Sequence, residues 1–235
     1  MIKILLLFVI VSCSSAKDWR TASRDSMGIA PKASEFHDDI VQVYYARAFS
    51  WRGYFGVHPW IAWKEQGAHK YTVAQVTSWN LRRTGKTSVQ VYQDIPDRRW
   101  FGSDSHLLID VRGKKAKEII ADLKRLIPKY PYADTYTLWP GPNSNTFVSY
   151  MIRNIDGLDR ELPPHAIGKE YGDFGGLTAS HTGLRFSLFG LLGGKIGASE
   201  GISIHILGLQ FGFDLWTPAV ELPFAGRLGF EDKGI

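Results

Sequence analysis

A chain of 235 residues that is 44% apolar and 13% aromatic is long enough to bury a real core and too apolar for a disordered polymer. Its formal net charge is only +5, and acidic and basic residues are interspersed, which argues against a nucleic-acid partner. The one cysteine excludes a disulfide framework, and His-Glu-x-x-His, clustered Cys/His, a phosphate-binding Gly-rich loop and Gly-x-Ser-x-Gly are all absent. No metal and no cofactor are expected.

The chain opens on Lys3 and an apolar run from Ile4 to Val11, far short of the roughly 20 residues that span a bilayer. It reads as the hydrophobic region of a secretory signal over residues 1–12. Ile10-Val11-Ser12-Cys13 resembles the bacterial lipobox, which implies that Cys13 is acylated and holds the protein on a membrane. Ser14, where an Asp would resemble an inner-membrane retention signal, favours the outer membrane on the same resemblance. Residues 13–38 are polar and irregular and are expected to be a tether, followed by a single domain over 39–235.

Ile40 to Phe49 and Val57 to Lys64 read as extended runs, and Gln66-Gly67 as a turn leading into Tyr71 to Trp79, a hairpin with the run before it. Ser88 to Tyr92 is a further strand, and Pro96 to Ser105 a loop. Ala116, Ile119, Ile120, Leu123, Leu126 and Ile127 recur at helical spacing between Gly113 and Pro128. Trp139-Pro140-Gly141-Pro142 forms a rigid approach to a second helix carrying Phe147, Val148, Met151, Ile152 and Ile155, capped by Asn143 or Ser144. From Gly183 the chain is glycine-rich and apolar, with clean alternation over Ile202 to Ile206. Antiparallel strands are expected, with turns at Gly193-Gly194 and Glu200-Gly201 and close backbone approach around Gly208 to Phe213. Their apolar residues are expected to be buried against the rest of the domain, with contact to a membrane as the alternative. The fold class is α+β, an antiparallel sheet with two principal helices and a glycine-rich C-terminal β segment.

Ser144 is the candidate nucleophile, because a helix N-terminus favours developing negative charge and offers N–H groups to an oxyanion. An alcohol needs a base, and His58 on the second extended run is the best-placed one. Each has a plainer explanation: Ser144 as a helix cap, and His58 as a hydrogen-bonded structural histidine.

The segments Ala46 to Gly53, Val57 to Ala62, Arg99 to Gly102, Tyr130 to Tyr132, Trp139 to Val148, Leu162 to Lys169 and Ser187 to Gly193 closely resemble the bacterial family DUF3750, which names no activity. The chain is more distantly similar to circularly permuted NlpC-type, papain-like hydrolases and acyltransferases. These place a histidine on an early strand and, later, Asn-Cys-x-x-Phe at a helix start. His58 matches the histidine, and Asn143-Ser144-Asn145-Thr146-Phe147 matches the second motif with serine for cysteine. A thiol ionises near neutrality and an alcohol does not, so the exchange implies either a serine enzyme or a site that only binds. A third, orienting group is expected on a neighbouring strand, with His69 and Thr72 as candidates.

Two functions are therefore carried forward. One is an envelope lipoprotein that is a serine-dependent hydrolase or acyltransferase on cell-wall peptide or lipid, with Ser144 and His58 catalytic. The other is a non-catalytic envelope lipoprotein that binds a lipid, glycan or partner through Trp60, Trp139 and Asn143, or is purely structural.

Overall fold

The computed structural model describes residues 18–230. The expected signal segment and Cys13 lie outside the described residues. The first half is a five-stranded antiparallel sheet in the order β4-β3-β2-β1-β5. Its strands are β1 (Ile40–Arg47), β2 (Val57–Lys64), β3 (Thr72–Val76), β4 (Val89–Gln93) and β5 (Ser105–Arg112). Three helices accompany it: α1 (Ser78–Thr84), α2 (Gly113–Leu126) and α3 (Ser144–Asn154). The fold class is α+β, as the sequence implies.

Both faces of the three central strands are buried. Because side chains alternate along a strand, Val41, Val43, Val57, Ile61, Trp63, Ala74 and Val76 share one face. They pack on Ile119 and Leu123 of α2 and on Phe147, Val148 and Met151 of α3. Tyr44, Ala46, Trp60, Ala62 and Val73 share the other face, covered by Trp100. That double burial explains why β1 and β2 read as near-continuous apolar runs.

Two elements depart from expectation. Ser105 to Arg112 is a strand paired along β1, although its outer positions are polar. Residues after Val76 turn into α1, capped by Thr77, whose side chain accepts from the Asn80 N–H, and closed by Gly85 at φ +66. Part of the segment read as tether is hydrogen-bonded to the domain from Ser23 onward, where the Gly102 N–H donates to the Ser23 carbonyl. The Asp97 carboxylate accepts from Ser26 Oγ and from the backbone N–H of Ile29 and Ala30, and the Tyr71 hydroxyl donates to the Pro31 carbonyl.

The second half is an antiparallel sheet of seven strands in simple sequence order: β6 (Gly175–Leu177), β7 (Gly183–Leu188), β8 (Leu192–Gly197), β9 (Gly201–Ile206), β10 (Leu209–Asp214), β11 (Ala219–Leu222) and β12 (Gly226–Gly229). Gly193 and Gly194, expected as a turn, lie inside β8. A Cβ on Gly193 would sit 2.4 Å from the His205 ring, so glycine is there for close packing. The expectation that the apolar residues face inward is corrected: Ile202, Ile204 and Ile206 are exposed, while Ser203 and His205 between them are buried.

The inner face of this second sheet is held by ion pairs between side chains. Lys195 Nζ lies 2.7 Å from Glu161 Oε2, Arg227 2.7 Å from Asp214, and Arg185 pairs with Asp173. Burial acts to raise Glu161, but Lys195 and Lys169 outweigh it and hold the carboxyl down at about 2. Lys195 is raised in turn, because Glu161 outweighs the opposing effect of burial.

Candidate functional site: an aromatic cavity at the end of the first sheet

A cavity of about 1130 Å³ opens where β1 ends, β2 begins and β3 ends, and both His58 and Ser144 line it. Its walls are largely aromatic, with Trp19, Phe49, Trp51, Phe55, Trp79, Trp100, Phe101 and Trp139. Its polar lining includes Gln75, Tyr92, Arg98, Asn143 and Asn145. A mostly apolar concavity with a few convergent polar groups is the usual form of a small-molecule site.

His58 lies opposite Ala46 of β1 and shares the sheet face of Trp60 and Trp100. Its ring stacks on Trp100 with centroids 3.8 Å apart, and its Nε2 is 3.0 Å from Gln75 Oε1. Gln75, on the adjacent strand β3, also accepts from Arg98 at 3.3 Å and donates to the Tyr92 hydroxyl at 2.7 Å. Gln75 Oε1 is therefore the acceptor, so His58 carries its proton on Nε2 and leaves Nδ1 as the lone-pair nitrogen. Burial, aided by Arg98 and only partly opposed by the Gln75 bond, lowers the imidazole to about 3. Arg98 is itself paired with Asp94.

Ser144 arrives from the other layer. It is the first residue of α3, and the cap is Asn143, whose Oδ1 accepts from the N–H of Asn145 and Thr146 while Thr146 Oγ1 accepts from the Asn143 N–H. This is a reciprocal capping box. Asn143 Nδ2 donates to the carbonyls of Leu138 and Ile167, which ties the helix start to two loops. Ser144 is thus relieved of capping, but Asn143 has taken two of the N–H groups that an oxyanion would need. Burial raises the Tyr136 phenol, with Arg52 and the nearby Ser144 hydroxyl opposing, so it stays neutral and is no base for the serine.

The two expected catalytic residues therefore share one cavity, reached from opposite faces of the sheet, and no hydrogen bond joins them among the described residues. His69 and Thr72, the expected candidates for an orienting group, do not line the cavity; the side chain bonded to His58 is Gln75. Sequence could have offered it, since Val73 and Gln75 alternate onto one face of β3. Trp139 lines the cavity half-exposed, with its indole N–H donating to the Leu207 carbonyl at 3.0 Å. Trp60 is corrected as a ligand contact: it is 0% exposed, and its indole N–H donates to the Pro96 carbonyl at 2.7 Å. Asn145 Oδ1 is buried beside the cavity with no hydrogen-bond partner among the described residues.

Fold and cavity together define an α+β protein with a sheet-end aromatic pocket. The family model described as protein of unknown function (DUF3750) matches residues 38–171, more than half of the chain, and the chain belongs to that family. The match takes in the first sheet and most of the cavity lining, and stops before the seven-stranded sheet. No curated protein and no solved structure matches.

Proposed function

We propose that this is a membrane-anchored envelope lipoprotein that binds an amphipathic lipid-like ligand in the sheet-end cavity without cleaving it. The observation that carries the reading is the cavity's composition. Aromatic walls suit an acyl or ring body, and exposed Arg24, Arg52 and Arg82 in the lining suit a polar or anionic head. His58, Gln75, Tyr92 and Arg98 are satisfied mostly by one another, which supports a fixed, pre-formed floor rather than groups poised to react.

A dansyl-labelled lysophosphatidylglycerol tests it, because tryptophans in the wall would transfer excitation to the dansyl group. Saturable transfer that is lost in Trp139→Ala combined with Arg52→Glu supports the reading; transfer that never saturates contradicts it.

The serine-hydrolase reading, with its papain-like parentage, keeps one favourable observation. Ser144 has no capping duty, and in the same cavity His58 Nδ1 has no hydrogen-bond partner among the described residues. A fluorophosphonate probe separates the two readings: labelling abolished by Ser144→Ala and by His58→Ala would install the enzyme, and absence of Ser144 labelling leaves the binding protein.

A further inference from the structure

The seven-stranded sheet is inverted relative to a water-soluble one. Its inward positions carry Arg185, Ser187, Lys195, Ser203, His205, Gln210, Asp214, Glu221 and Arg227. By the same registers its outward positions are occupied throughout by apolar residues or glycine. Leu184, Phe186, Ile196, Ile204, Phe211 and Phe213 are 43–63% exposed. Seven strands of three to six residues make a face roughly 30 Å wide and up to about 20 Å tall, on the order of the largest apolar patch a soluble monomer ordinarily shows before the hairpin tips are counted. Among the described residues no charged side chain interrupts it.

We infer that this outer face is a membrane-docking surface that lies in one leaflet of a bilayer containing anionic lipid. Apolar-out and polar-in alternation is what lipid contact selects in strands. The strands are too short to cross a hydrocarbon core of about 30 Å, so the sheet lies in the interface rather than through it.

Two observations favour lipid over a second copy of the chain. First, the apolar surface does not stop at the flat face. It continues over the hairpin tips at Phe189, Leu207 and Phe224 and on to the cavity rim, where Phe224 packs on Phe55 at 5.5 Å and Trp139 bonds Leu207. A sheet-on-sheet dimer would cover the face and leave those tips in water, whereas a fluid bilayer covers both. Second, the rim it reaches bears exposed Arg24, Arg52 and Arg82, and the whole chain is positive at +5, which complements an anionic surface. Docking in this way would set the cavity mouth at the membrane, but the inference does not depend on what the cavity binds.

The test uses the full chain in a Cys13→Ser background with single cysteines Ile204→Cys or Phe213→Cys, each labelled with an environment-sensitive NBD fluorophore. Lys117→Cys on the exposed side of α2 is the control. Circular dichroism confirms folding, which exposed positions should not disturb. With vesicles of phosphatidylcholine and phosphatidylglycerol, the Ile204 and Phe213 labels should shift to the blue and lose emission to a doxyl-acyl quencher, while the Lys117 label does neither. Anchoring by the N-terminus alone would leave all three labels in water and overturn the inference. A blue shift without vesicles would also overturn it. If that shift grows with protein concentration, a second copy covers the face; if it does not, the chain's own apolar N-terminal run does.

Discussion

The Nε2 of His58 lies 3.0 Å from the Oε1 of Gln75, across the pairing of β2 with β3. The same oxygen accepts from Arg98, so this side of the imidazole is committed to the protein's own network. That bond decides which tautomer the ring holds and what it can do in the cavity.

His58 should remain neutral between pH 8 and 5, read from its ring resonances by NMR, because burial lowers it to about 3. The sign for stability follows from the unfolded value near 6.5. The unfolded chain binds a proton in this window and the folded one does not, so stability is fully present above about 6.5 and falls as pH drops toward about 3. His165, lowered to about 4 by burial and by the nearby Arg47 and Lys169, adds to the slope. In His58→Gln the decline of Tm between pH 7 and 4 should be shallower than in the parent.

The start of α3 separates the roles of its first two polar residues. Asn143→Ala loses the cap and two loop bonds and should cost about 2 kcal/mol or more in denaturant titration. Ser144→Ala, which removes a hydroxyl without a capping role, should cost less than about 1 kcal/mol. Gly168 has φ +92 and leaves room for only 2.4 Å between an added Cβ and Asn143 Nδ2; Gly168→Ala should therefore approach the cost of losing the cap.

Much of this arrangement was legible in the sequence, for stated physical reasons. Val57 to Lys64 was readable to its ends because both faces are buried, and α2 because its apolar positions keep helical spacing. β5 was missed, since an edge strand with one wet face offers only Leu, Ile and Val among charged neighbours. The cavity was readable as two motifs, but the face on which His58 points is set by register, and Gln75 joins it only through strand pairing. Trp60, on the same face as His58 but farther along β2, looked like a ligand contact because sequence cannot show that Trp100 packs beside it and closes it from the cavity. The C-terminal sheet was readable as strands, yet its direction was reversed: the usual assumption that apolar residues point inward fails where the inner face is ionic.

That ionic face is itself testable. Lys195→Met strands the buried Glu161 carboxylate and should cost about 3 kcal/mol or more, whereas Lys195→Met with Glu161→Leu should recover much of the loss. Since Glu161 is held down at about 2, the stability it contributes is present above about 4.5 and is lost as pH falls toward about 2. Urea midpoints of the parent and of the double variant should therefore converge in acid.

The most direct measurement is native mass spectrometry of the full chain, incubated with lysophosphatidylglycerol, alongside Ala48→Trp, which puts bulk into the cavity lining. The account predicts a one-to-one adduct at the intact lipid mass for the parent and loss of that adduct in Ala48→Trp. No adduct in the parent, or one that survives in Ala48→Trp, would contradict it, and release of a cleaved acyl product would show that the cavity does chemistry.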